Sequence, residues 1–116
     1  MRYARIQNED GSVVCERCAL ATRPFARMKG LLGRTGLEPG EGILLRPAGS
    51  IHMLFMRFAI DAIFCNGDLV VVDVARDLAP WKFAARRGAR QVIELAAGAA
   101  AGVSAGDRLS LATIDE

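Results

Sequence analysis

Residues able to carry chemistry are few in this chain. His52 is its only histidine, so any imidazole acting as a general acid or base must be this residue. It stands in the apolar run Ile51-His52-Met53-Leu54-Phe55-Met56, where a histidine satisfied by a neighbouring carbonyl is the simpler structural reading. Ser50 is close by but is expected on the other face of the strand, and no G-x-S-x-G elbow occurs, so a serine hydrolase is not expected. Arg57 and Asp61 are charges inside the same apolar stretch, and charges in a core must pair or reach water. On a straight strand they stand about 13 Å apart, at ~3.3 Å per residue. A corner near Phe58-Ala59 brings them together, either as an ion pair that sets the fold or as the polar floor of a pocket in which Arg57 meets an anion.

Cys15-Glu16-Arg17-Cys18 has the CxxC spacing of redox and zinc sites. Its flanks, Val13-Val14 and Ala19-Leu20, read as strand rather than helix N-terminus, and positions three apart on a strand point to opposite faces. The remaining soft ligands, His52 and Cys65, are remote and form no second knuckle, so no metal site and no cofactor are expected. Two arginine-rich stretches, Arg23, Arg27, Lys29, Arg34 and Lys82, Arg86, Arg87, Arg90, offer bidentate anion contacts or simply a solvated face. Asp107, after Gly106, reads as a turn-capping carboxylate.

The elements that position these residues follow from the pattern of apolar and turn residues. Tyr3–Gln7 and Ser12–Ala19 read as two strands joined by Asn8-Glu9-Asp10-Gly11. Pro24 opens a short amphipathic helix in which Phe25, Met28, Leu31 and Leu32 recur at helical spacing until Gly33. A buried strand over Gly42–Arg46 ends at Pro47. Ile51–Cys65, the most hydrophobic segment, is apolar on both faces, which predicts a strand covered twice, in a sandwich or barrel or beneath a helix. Asn66-Gly67 predicts a tight type I′ hairpin into Leu69–Val72. The chain is irregular through Arg76–Pro80, strands are expected at Gln91–Leu95 and Arg108–Leu111, and Ala96–Ala101 suits a helical turn. The expected fold class is α+β but mainly β: about seven or eight strands in a compact, barrel-like, mostly antiparallel sheet with one or two short helices.

Composition sets the frame. With 116 residues, 52% of them hydrophobic, the chain forms one domain over 1–116 with a genuine core and needs no disulfide framework. Three cysteines cannot close such a framework in any case, which favours a reducing compartment. The net charge of +2 is too small to indicate a nucleic-acid binder. No signal-peptide pattern and no apolar run of membrane-spanning length is seen, so a cytoplasmic protein without a membrane partner is expected.

Three blocks of this sequence, Arg27-Met28-Lys29-Gly30-Leu31-Leu32-Gly33-Arg34, Gly42-Ile43-Leu44-Leu45 and His52-Met53-Leu54-Phe55-Met56-Arg57-Phe58-Ala59-Ile60-Asp61-Ala62-Ile63-Phe64, resemble the family called domain of unknown function 192. Asn66-Gly67, Pro80-Trp81, Val92-Ile93-Glu94-Leu95-Ala96-Ala97-Gly98 and Gly106-Asp107 follow in the family's order, so the likeness runs from about Thr22 onward. It implies a single β-rich domain with a barrel-like sheet and short helices, and no established reaction; many members carry a signal peptide, which this chain does not show. Its polar signature falls on His52, Arg57 and Asp61, with Arg27, Gly30 and Arg34 from the helix. The CxxC is not part of it.

The resulting expectation is a small non-enzymatic binding domain. Its ligand site gathers His52, Arg57, Asp61, Arg27 and Arg34 beside an aromatic wall of Phe55 and Trp81, and takes a small anionic ligand or a protein segment. One alternative is a small enzyme with His52 as acid or base and Arg57 stabilising negative charge, although no nucleophile is evident. The other is a nucleic-acid-associated domain using the arginine stretches and Trp81, which the modest net charge disfavours.

Overall fold

The computed structural model describes residues 2–114. Strands β1 (Arg2–Asn8) and β2 (Val13–Ala21) form the expected hairpin, turned by Gly11 at φ 89 and by the Asp10 carboxylate, which accepts the Ser12 N–H at 2.8 Å. Their ladder is not regular: Ala4 faces Cys18 while Ile6 faces Cys15, so two residues of β1 span three of β2. This β-bulge overturns the expectation that the two cysteines point to opposite faces. Both are buried in one core cluster with Ile6, Leu44 and Leu95.

The link from β2 to β3 (Glu41–Leu45) is the one parallel pairing among the described residues, Arg17 facing Glu41 through to Ala21 facing Leu45. A parallel pair needs a crossover. Here it contains α1 (Pro24–Lys29), which starts at its proline and stops short of Gly33 because Gly30 caps it at φ 48. The side chains of Phe25 and Met28, on which the helical spacing partly rested, lie outside the description; Leu31 is buried and Leu32 packs against the core.

The central apolar segment is not one strand. It splits into β4 (Ser50–His52) and β5 (Ile60–Cys65), separated by a turn at residues 53–56 in which Met56 N–H reaches Met53 O and Phe55 adopts φ 64. Neither Gly nor Pro marks that break. β5 leads into β6 (Val71–Leu78) through the anticipated hairpin, but not by a type I′ turn. Leu69 N–H reaches Asn66 O, Asn66 N–H reaches Val70 O, and Leu69 takes the left-handed position at φ 63. That is the longer loop of a turn followed by a left-handed residue. The Asn66 side chain holds it by accepting the N–H groups of Asp68 and Val70. A strand not anticipated, β7 (Phe83–Ala85), pairs with β4; β8 (Gln91–Ala96) and β9 (Leu109–Ile114) complete the set, and residues 97–102 form turns rather than helix.

Seven strands make one sheet in the order β6-β5-β8-β3-β2-β1-β9, and β4-β7 make a second small one. The large sheet curls until its edges touch at a bridge between Val70 and Arg108, supported by Leu109 N–H to Leu69 O, but the barrel does not close. Every residue of β5, and of β8 up to Leu95, is buried, as expected for a sheet covered on both faces. Alternation divides the core accordingly. Leu44, Ile63, Cys65, Ile93 and Leu95 pack inside the curl, whereas Ile43, Leu45, Ile60, Ala62, Phe64 and Val92 face outward under Leu31 from the crossover and Ile51, Met53, Met56 and Ala84 from the small-sheet region. Among the described residues no helix is long and apolar enough to cross a membrane.

Candidate functional site

A cleft of about 110 Å³ opens where the α1 crossover and β4 lie over the outer face of the sheet. Arg27, Lys29, Ser50, His52, Met53, Met56 and Glu94 line it. Larger depressions exist, one of about 610 Å³ bordered by Arg2, Thr22, Arg23 and Arg46. The smaller one is distinguished by its chemistry.

Glu94 sits on β8 opposite Ala62 of β5 and Ile43 of β3, on the outward parity it shares with Val92. It is 6% exposed, and its carboxyl has no hydrogen-bond partner among the described residues. Burial alone pushes its pKa up to about 7. Arg27 donates through Nη1 to Pro47 O at 2.9 Å, which anchors the crossover, while its buried Nε has no partner. Buried polar atoms are nearly always satisfied, and among the described residues Arg27 Nε is the one buried side-chain atom that is not; with the unbonded Glu94 carboxyl lining the same cleft, it makes two open hydrogen-bonding positions. His52 projects outward from β4, and its Nδ1 accepts a long bond from Leu54 N–H at 3.4 Å. In the neutral ring that leaves Nε2 as the donor.

The model of the family called domain of unknown function 192 (DUF192), described as an uncharacterised ACR, matches residues 5–111. The chain belongs to the DUF192 family. A UPF0127 protein of Thermococcus sibiricus is 34% identical over 98 residues, covering 80% of this chain and 63% of that protein. A second UPF0127 protein, from Pyrococcus furiosus, is 46% identical over 63 residues, or 52% of this chain and 53% of its own length. The match thus spans less than two thirds of either relative. Two crystal structures share the fold. One, a Sinorhizobium meliloti 1021 protein provisionally named a transcription regulator, has a TM-score of 0.81 at 27% identity and covers 95% of this chain and 92% of that one. The other, a Novosphingobium aromaticivorans protein of unknown function, has a TM-score of 0.80 at 26% identity, with coverage of 93% and 83%.

Within this DUF192 domain the residues expected to form one site are dispersed. Arg27 and His52 share the cleft. Phe55 and Trp81 pack on each other beside it, ring centroids 5.0 Å apart and tilted by 59°. Arg34 instead pairs with Glu41 at 2.8 Å, and Arg57 is exposed outside the cleft. Asp61 occupies the opposite face of β5, 1% exposed. Its carboxylate accepts the N–H groups of Asp77 at 2.9 Å and of Gly98 and Ala100 at 3.0 Å, so it neither pairs with Arg57 nor floors a pocket with His52. Asp107 does cap a turn, taking Ser104 N–H and the Asn8 amide, both at 2.9 Å.

Glu94 is the residue sequence reasoning passed over. Its signal was the one that singled out Asp61: an acid with apolar neighbours on both sides of an interior strand. Cys15 and Cys18 are near enough to hydrogen-bond, and that contact with Cys15, together with burial, pushes the Cys18 thiol up. Among the described residues no group of three or more His, Cys, Asp or Glu is placed to hold a metal ion.

Proposed function

We propose that this DUF192 domain is a binding module that holds a small carboxylate or comparable anion in the cleft between α1 and β4. The observation that carries this reading is the pair of orphaned groups, Arg27 Nε and the Glu94 carboxyl, which share the cleft without bonding to each other. A ligand with an anionic end satisfies Arg27, with Lys29 and His52 at the mouth, while an acceptor atom on it receives a hydrogen bond from neutral Glu94. A free organic acid and an acidic side chain of a protein segment present the same carboxylate, and the cleft admits only a few non-hydrogen atoms of either. Ser50 shares the outer face of β4 and the cleft with His52, a correction to its expected place on the other face, but the two side chains are not hydrogen-bonded, which supports binding over turnover.

The test is thermal unfolding at pH 6 with acetate, malonate, succinate and inorganic phosphate, on wild type, Arg27→Gln and Glu94→Gln. Wild type is expected to gain stability with rising concentration of at least one of the four, and both variants to lose most of that gain. Stabilisation untouched by either substitution overturns the site. An acidic peptide that stabilises where the free acids do not identifies the protein segment as the source. Because neutral Glu94 donates to the ligand, binding is expected to weaken as pH rises through about 7.

A further inference from the structure

The turn that splits the central apolar segment carries an unusual surface. Leu54, Phe55, Trp81 and Phe83 are 42%, 71%, 60% and 67% exposed. Backbone bonds gather them: Met53 N–H to Lys82 O, Trp81 N–H to Met53 O, and the β4–β7 ladder, which sets His52 opposite Phe83. Phe55 and Trp81 take φ of 64 and 71, a region bulky side chains avoid, so the backbone holds both rings at strained positions. An exposed apolar patch of this kind on a small domain marks a contact surface.

Charge says what the contact is with. No Asp or Glu occurs over 42–60 or 78–93, the two stretches that contain the ridge, and Arg57 and Lys82 stand within two residues of its side chains in sequence. Arg86 is paired with Asp73, while Arg57, Lys82 and Arg87 are exposed. Two copies of the chain would meet basic face to basic face, which disfavours self-association. A nucleic-acid base requires a flat ring to stack on. Here the two rings are closed on each other at 59°, and Leu54 adds aliphatic surface that does not stack. Aromatic and aliphatic tips surrounded by cations match the interface of an anionic bilayer, where rings settle at headgroup depth and Lys and Arg meet the surface charge.

We propose that the Leu54-Phe55-Trp81-Phe83 ridge docks this domain peripherally on anionic lipid surfaces. No spanning segment is needed, so the contact is reversible and salt-dependent. It stands independently of the cleft.

Trp81 is the only tryptophan in the chain, so its fluorescence reports the contact directly. Full-length protein is mixed with phosphatidylglycerol/phosphatidylcholine vesicles, with phosphatidylcholine vesicles alone, and with oligo-dT; binding is measured in parallel by vesicle flotation. Anionic vesicles are expected to blue-shift Trp81 emission and float the protein, at least tenfold better than neutral vesicles and less well in high salt. Phe55→Gly, which suits a positive φ and should leave the fold intact, and Arg57→Ser/Lys82→Ser are each expected to reduce partitioning at least tenfold, with unfolding temperatures near wild type. Glu94→Gln is expected to bind vesicles normally, which separates failure of the cleft from failure of the ridge. The proposal is overturned if anionic vesicles leave emission and flotation unchanged, if oligo-dT alone produces the shift, or if emission shifts with protein concentration alone, the sign of a second copy.

Discussion

At the scale of single residues, the two interior acids contrast. Asp61 is surrounded by donors, and its three backbone N–H bonds tie β5 to the start of the 97–102 turns and to Asp77 at the end of β6. Asp61→Ala leaves those amides unsatisfied, and a loss of roughly 3 kcal/mol or more in urea unfolding is expected. A loss below roughly 1 kcal/mol would mean that water replaces the carboxylate easily. Glu94 has no such partners. Its pKa is raised from 4.5 to about 7, so the folded state holds the proton more tightly than the unfolded chain does. The stabilising contribution is complete below about pH 4.5, declines as pH rises, and is gone above about pH 7, a total of about 3 kcal/mol at 1.36 kcal/mol per unit. Glu94→Gln removes the titrating group, so the difference in stability between variant and wild type should change by about that amount between pH 4.5 and 7.5 and be level above. Parallel pH curves for the two proteins would show that Glu94 is ionised throughout. The sequence reveals both acids as anomalies, since each interrupts an apolar strand. It does not reveal which one meets a crown of amides, because those come from residues 16 to 39 positions away.

At the scale of elements, most strands were legible because alternation and turn residues mark them, and what failed was register and interruption. The β2 bulge inserts one residue without any Gly or Pro to announce it, and that residue turns Cys15 and Cys18 to the same face. The break after His52 is equally silent; Phe55 holds a left-handed position that sequence preference would assign to Gly or Asn. β7 was missed because three residues are too short to show a period. One glycine shows how closely the elements depend on each other. A Cβ on Gly42 of β3 would stand 2.6 Å from Leu95 Cδ2, 2.9 Å from Cys15 Sγ and 2.9 Å from the backbone oxygen of Glu94. The leucine tip can move aside, but the β8 carbonyl beneath the cleft cannot do so without distorting the ladder. Gly42→Ala is expected to cost roughly 2 kcal/mol, in the range of overpacked cores, and to disturb ligand uptake at Glu94. Unchanged thermal stability would show that β3 and β8 separate more readily than their ladder implies.

At the scale of the whole molecule, the proposed aromatic ridge is carried by the small sheet and its flanking turns, whereas the stable core lies in the large sheet. β5 and β8 lie inside the seven-stranded sheet, hydrogen-bonded on both sides and covered on both faces. The β4–β7 pair has only three ladder positions and carries His52 and Phe83 on its outer face. An isolated two-stranded ladder is marginal in water, so this one depends on Ile51 and Ala84 packing against the large sheet. Local opening should therefore lift the small sheet and the 53–56 turn away while the large sheet stays intact. In hydrogen exchange, amides of β5 and β8 are expected to exchange only through global unfolding, whereas those of Ile51, Met53, Trp81 and Ala84 exchange at least tenfold faster through a lower-energy opening. Addition of a cleft ligand that bridges Arg27 and Glu94 should slow Ile51 and Met53 selectively, because opening the small sheet exposes that cleft. Equal protection in both sheets would mean that β4–β7 is an integral part of the cooperative core, and that a ligand must enter the cleft past a fixed wall.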